Sequence, residues 1–178
     1  MLIAENDSIV IRLFENSDAS EFCNAVLESL DSVGVWMPRC HDQYSEAEAL
    51  EWFDSCARGI SSGESYDVGL FDKDDGLLLG SVAINQIDPV NRIGNIGYWI
   101  RRTQQQKGIA VSAVRMMRQF GLGKLGLHRL TIVALETNLA SRRVAEKSGA
   151  HFECIAAKRL MHQGKAQAAA IYSFTDLD

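Results

Sequence analysis

Seven consecutive residues, Gln104-Gln105-Gln106-Lys107-Gly108-Ile109-Ala110, stand between an alternating apolar run, Asn95 to Ile100, and a run of helical period, Ile109 to Phe120. The first run reads as a strand and the second as a helix. A loop entering a helix leaves the first-turn N–H groups unpaired and pointing outward. The helix dipole adds partial positive charge there, so the junction suits an anion such as a phosphate. Gly108 lets phosphates approach the backbone, because no Cβ stands in the way. The same spacing also fits a polar strand-to-helix loop with one glycine and no ligand.

Other residues with chemical potential form poorer patterns. Gly121-Leu122-Gly123-Lys124-Leu125-Gly126 spells Gly-x-Gly-x-x-Gly. It closes a helix and precedes the strand His128 to Glu136, whereas a dinucleotide-binding loop follows a strand and opens a helix. Glycine as a left-handed helix cap accounts for it better. Asp72-Lys73-Asp74-Asp75-Gly76 has the acids of a calcium loop, but its twelfth position, Ala83, lacks the bidentate Glu such a site needs. His41, His128, His151 and His162 show no zinc-binding spacing with an acid, so no metal is expected. Neither a Gly-x-Ser-x-Gly elbow nor a Walker loop occurs.

Ser8 to Phe14 alternates as a strand, and Ser17-Asp18 then caps a helix that runs to about Asp31 through Phe22, Val26, Leu27 and Leu30. Ser32 to Tyr44 is an aperiodic loop, where Pro38 forbids a continuing helix. Its Trp36 and Met37 either plug the core edge or line a pocket. Ser45-x-x-Glu48 is a capping box for a second helix to about Ile60. Tyr66 to Phe71 and Leu77 to Gln86 are strands joined at Asp75-Gly76, a hairpin signal. Asn91 to Ile100 continues the meander, with Gly94 and Gly97 marking a bulge or a close backbone approach. The Met116-Met117 pair of the next helix reads as core filling. Asn138 is placed to cap a last helix ending at Gly149, after which Ala150 to Met161 and Ala168 to Thr175 flank a Gln163-Gly164-Lys165 turn. The pattern is a mixed α/β sheet in a single domain spanning residues 1–178.

A chain of 178 residues can bury roughly 70% of the surface exposed when unfolded. The net charge is −5 with Lys and Arg scattered, so no basic stripe announces nucleic acid. Cysteines 23, 40, 56 and 154 lack a Cys-x-x-Cys spacing, and the chain has neither a signal-like apolar start nor a run of the ~20 residues that cross a bilayer. Free thiols in a reducing cytoplasm, and no membrane partner, are expected.

The loop at Gln105-Gln106-Lys107-Gly108-Ile109-Ala110 resembles the Gln/Arg-x-x-Gly-x-Gly/Ala segment of the GNAT acetyltransferase superfamily. Trp36-Met37-Pro38, Ile96-Gly97-Tyr98-Trp99-Ile100, Leu127-His128-Arg129-Leu130, Asn138-Leu139-Ala140-Ser141 and Glu146-Lys147-Ser148-Gly149 are more narrowly similar to its RimJ/RimL group, in the same order along the chain. The resemblance implies a largely antiparallel sheet with one splayed parallel strand pair and flanking helices. It implies transfer of acetyl from acetyl-CoA to a primary amine, first of all the N-terminal α-amino group of a ribosomal protein. A small-molecule amine acceptor, or an acyl-CoA sensor without turnover, are the alternatives. Relatives are often dimers.

Carried over residue by residue, the resemblance gives the pyrophosphate to Gln105, Gln106, Lys107, Gly108, Ile109 and Ala110, and the pantetheine to Tyr98, Trp99, Ile100 and Asn138. Lys107 and Arg143 either meet the 3′-phosphate or adenine or are solvated surface charges. Trp36 and Met37 become a wall of the acceptor pocket. Where many members have a Tyr seven residues beyond the Asn, this chain has Ala145. Ser141 takes the thiol side, although a Ser in a first helical turn also hydrogen-bonds locally. Glu153 matches a group Glu and is the candidate base. Ala150, Cys154 and Ala168 depart from the group pattern.

Overall fold

The computed structural model describes residues 1–37 and 39–175, so Pro38 and its expected helix-breaking role lie outside the described residues. The strands are β1 (Leu2–Glu5), β2 (Ile9–Arg12), β3 (Tyr66–Asp72), β4 (Leu78–Asp88), β5 (Ile93–Ile100), β6 (Arg129–Leu135), β7 (His151–His162) and β8 (Lys165–Thr175). The helices are α1 (Ala19–Leu27), α2 (Glu46–Ser62), α3 (Ile109–Gln119) and α4 (Leu139–Ser148). The strands form an eight-stranded sheet in the order β1-β2-β3-β4-β5-β6-β8-β7. Its pairs are antiparallel except β5 with β6, which is parallel. The α3 crossover between those two strands makes that arrangement possible, because parallel neighbours cannot be joined by a tight turn.

Strand alternation sends apolar side chains to both faces of the sheet. On one face Val68, Leu70, Val82, Ile84, Ile96, Ile100, Leu130 and Ile132 meet Ala113, Val114, Met116 and Met117 of α3 and Ala145 of α4. The methionine pair is core filling, as its spacing suggested. On the other face Phe71, Leu78 and Trp99 pack under Phe22 and Val26 of α1 and Ala49 and Phe53 of α2. Trp99 is 8% exposed, edge-on to Phe22 at 5.7 Å between ring centroids.

Three local expectations change. β1 was not anticipated: four residues, of which only Ile3 is buried, are too few to show a period. The first helix ends at Leu27, not Asp31; after Ser29 the chain turns through Leu30–Gly34, and the Ser29 hydroxyl donates to Ala25 O at 2.6 Å. The bulge assigned to Gly94 or Gly97 lies instead on the facing strand, between Asn85 and Asp88, where Gln86 has φ 52°. The close backbone approach is at Gly80, φ 149°, where a Cβ would sit 2.1 Å from Trp99 O. No helix among the described residues is long and apolar enough to cross a membrane.

Candidate active site

β5 and β6 pair only through Ile93–Arg129, Gly94–Leu130 and Asn95–Thr131. Beyond that they part, because each keeps its outer partner: β5 stays on β4 to Ile100–Gly80, and β6 stays on β8 to Leu135–Ala169. The Arg101 N–H donates to Leu79 O at 2.9 Å. By the alternation of an antiparallel ladder, Trp99 and Gly97 then also bond towards β4, while the N–H and C=O groups of Tyr98 and Ile100 turn into the gap. Backbone groups so placed need a partner from elsewhere. For Ile100 O that partner is the Gln105 side chain, whose Nε2 donates at 2.9 Å.

Two helix starts flank the open end of the gap. α4 is capped by its own sequence: Asn138 Oδ1 accepts from the Ser141 N–H at 3.1 Å. α3 starts at Gly108 with φ 81°, and no side chain caps it. Gln106, Lys107 and Gly108 are exposed, and a Cβ built on Gly108 would meet nothing within 4 Å. Orphaned first-turn amides and the dipole face an open approach, which fits a phosphate group.

The start of the loop is held firmly. The buried Arg101 guanidinium spans Glu21, Glu28 and Leu78 O, and Thr103 Oγ1 donates to Glu28 Oε1 at 2.9 Å. Gln105 Nε2 also donates to Ser32 Oγ at 3.1 Å. The Arg101 guanidinium holds the Glu28 carboxyl down to about 2. Thus Gln105 is turned inward as a strut, and Lys107 folds back to donate to Gln104 Oε1 at 2.9 Å.

Across the gap, the Tyr98 hydroxyl donates to Ser141 O at 2.9 Å and lies 3.0 Å from Ser141 Oγ. Burial pushes the Tyr98 phenol up to about 12 against the opposing hydrogen bond from Ser141. It therefore remains a donor at neutral pH. Tyr98, Asn138 and Ser141 end a cleft of about 990 Å³ that passes through the gap to the α1–α2 face of the sheet. There Trp36 and Met37 line it, and Trp36 stacks on His162 of β7 with centroids 5.8 Å apart. Ile109 and Ala110 form the first turn of α3, while Arg143 is an exposed residue of α4.

Two expected residues are placed otherwise. Trp99 faces the cleft from the core of the α1–α2 face, and its backbone bonds point towards β4, so it cannot pair with a ligand in the gap. Glu153 does not reach the cleft. Both its carboxylate oxygens lie 2.6 Å from Arg129 Nη2, and it accepts from Ser173 Oγ at 2.6 Å. Arg129 first and Ser173 second hold its carboxyl below the usual range. Arg129 begins β6 and Leu135 ends it at the open mouth, about 20 Å of strand away. The expectation that Glu153 is the base is corrected accordingly: it is an ion-pair partner at the closed end of the gap.

The residue missed was Asp67. It was legible as the lone acid early in Tyr-Asp-Val-Gly-Leu-Phe, an otherwise apolar strand, and it lines the cleft. The Tyr98–Ser141 contact had no sequence signal, since the two are 43 residues apart.

A sheet opened between two parallel strands, with an uncapped helix start beside it and a cleft through it, leaves strand and first-turn amides for an extended, anionic ligand. The family model for the GNAT acetyltransferase domain matches residues 8–151, and the chain belongs to that family. It is an N-acetyltransferase by that membership. YdaF of Bacillus subtilis, provisionally named a ribosomal N-acetyltransferase, is 32% identical over 151 residues, 81% of this chain and 78% of its own. A Vibrio cholerae structure provisionally described as a ribosomal-protein-serine acetyltransferase superposes with a TM-score of 0.85 at 26% identity, covering 99% of this chain and 98% of that one. RimL, an α-N-protein acetyltransferase of ribosomal L7/L12 solved with coenzyme A, gives a TM-score of 0.88 over 98% of each chain. At 18% identity that likeness is one of fold.

Proposed function

We propose that the protein transfers acetyl from acetyl-CoA to the N-terminal α-amino group of a protein, with ribosomal proteins the first class to test. The observation that carries this reading is the cleft itself. It runs from Tyr98, Asn138 and Ser141 beside the gap to a wide acceptor chamber on the other face of the sheet, and the uncapped start of α3 follows β5, the strand that borders the same gap. The names of YdaF and the Vibrio protein support the acceptor class.

The residues at the mouth fit the cosubstrate. The amides from Gln106 to Ala110 receive a diphosphate, Lys107 and Arg143 supply positive charge to a further phosphate, and the Tyr98 and Ile100 backbone pairs with amides of the pantetheine arm. Acetyl-CoA supplies an acetyl thioester. The Tyr98 or Ile100 N–H in the gap stabilises the oxyanion that forms when an amine attacks. The hydroxyl pair of Tyr98 and Ser141 stands where a departing thiolate needs a donor, and Asn138 holds the Ser141 backbone in place. An α-amino group, with pKa near ~7.7–8.0, is partly neutral in a cytoplasm and demands less of a base than a lysine near ~10.4.

The test is incubation with acetyl-CoA and two acceptor sets, peptides copying ribosomal-protein N-termini and small polyamines. Mass spectrometry would score the gain of one acetyl group alongside free-thiol release. Acetylated peptide N-termini are expected. Turnover confined to polyamines would replace the acceptor class, and coenzyme A binding without any turnover would favour a sensor.

A further inference from the structure

Asp67 of β3 pairs across the sheet with Ala83 of β4, and Ala83 pairs with Gly97 of β5. The three therefore form one row on the α1–α2 face, ending at the strand that borders the gap. The neighbouring rows are bulkier: Ser81 with Trp99 on one side, and Asn85 with Asn95 on the other, whose amides bond at 3.1 Å. Alanine and glycine leave the row between them as a trough. A Cβ built on Gly97 would meet nothing nearer than Asn85 Nδ2 at 3.7 Å. All three residues line the cleft. Two strand spacings of about 4.8 Å separate the Asp67 backbone from that of Gly97, a span that an acidic side chain and one or two waters bridge.

We propose that Asp67 is the proton acceptor for the amine, working through water held in the Ala83–Gly97 trough. This rests on the acetyl-transfer reading above and deepens it. The ammonium gives one proton through that water to the Asp67 carboxylate. The freed nitrogen forms a bond to the acetyl carbonyl carbon, and the carbon–sulfur bond breaks with its electron pair on sulfur. The nitrogen sheds a second proton, which neutralises the thiolate by way of the Tyr98–Ser141 hydroxyls, and Asp67 returns its proton to solvent. Burial raises the Asp67 carboxyl above the ordinary range, against a hydrogen bond from Ser65 and the longer-range pull of Arg39. That direction makes it a better base than a solvated aspartate. The titratable groups sharing the cleft are Arg39, Cys40, His41 and Tyr44 on the loop, Glu48 and Glu51 on α2, Tyr98 on β5 and His162 on β7. Cys56 of α2 also feels the Asp67 charge.

The test compares the wild type with Asp67→Asn, Asp67→Glu and Gly97→Val, using acetyl-CoA with a serine-initiated peptide and, in parallel, spermidine. For whichever amine the wild type acetylates, Asp67→Asn should lower kcat roughly 100-fold, leave KM for acetyl-CoA unchanged and remove the acidic limb of the kcat/KM profile. Asp67→Glu should restore part of the rate with a displaced limb. Gly97→Val should mimic Asp67→Asn by filling the trough. An Asp67→Asn enzyme with wild-type kcat and pH profile overturns the assignment. Should neither amine be acetylated, the transfer reading fails separately, and carbon-detected NMR titration of Asp67 in the full chain decides. A midpoint above the ordinary aspartate range upholds the proposal; one within it overturns it.

Discussion

The helices that begin at the mouth of the gap start in opposite ways. α4 satisfies its own first turn through Asn138, and α2 does the same through the reciprocal Ser45–Glu48 box. α3 begins at an exposed glycine that no side chain caps. α1 has no side-chain cap either, but it continues from the turn Asn16–Asp18, where the Glu15 N–H donates to Asp18 Oδ2 at 2.8 Å. The start of α3 instead leaves its first-turn amides to solvent or a ligand. Asn138 thus supports Ser141, whereas Gly108 is the receptor only in the proposed reading.

Substitutions test that contrast directly. Gly108→Asp sets charge against the expected phosphates and should weaken coenzyme A binding by on the order of 100-fold, about 3 kcal/mol, by calorimetry. Unchanged affinity would move the cofactor elsewhere. Tyr98→Phe keeps the ring but removes the hydroxyl that reaches Ser141, and should lower kcat roughly tenfold or more while coenzyme A affinity holds. A fall in affinity equal to the fall in rate would make Tyr98 a binding residue only. Asn138→Ala should cost about 1 kcal/mol of stability, seen in denaturant melts, with coenzyme A affinity changed far less than by Gly108→Asp. Equal losses in the two variants would erase the distinction between cap and receptor. The smallest effect concerns the latch behind α3. Glu28 titrates lower in the fold than its ordinary 4.5, at about 2. Its contribution to stability is therefore complete above the ordinary carboxylate range and is lost as pH falls through about 2. Glu28→Gln should flatten the loss of stability between those pH values in acid titrations followed by circular dichroism.

Much of the α3–α4 face was legible from the chain, because its signals are local. Gly108 before a helical run, Asn138 before another and Gly149 after it each declare a helix end within a few residues, and all three do so in the fold. The acceptor side was read poorly. Its floor is built from register, and the row of Asp67, Ala83 and Gly97 exists only when three strands are aligned. Glu153 was misread for the same reason: its partners Arg129 and Ser173 come from other strands, 24 and 20 residues away. Trp99 was read as a cofactor contact because it neighbours Tyr98 and Ile100, although a strand sends consecutive residues to opposite faces.

The clasp between the end of α1 and the segment after β5 bears on how such a molecule can diversify. Glu28, Ser29 and Ser32 hold Arg101, Arg102, Thr103 and Gln105 across 73 to 75 positions of chain. Lengthening or shortening the backbone between Glu28 and Ser32 would loosen the loop that leads into α3. Among the described residues, Arg39, Cys40, His41 and Tyr44 line the cleft without a hydrogen bond to that loop, so changes there reshape the cleft and leave the clasp as it is.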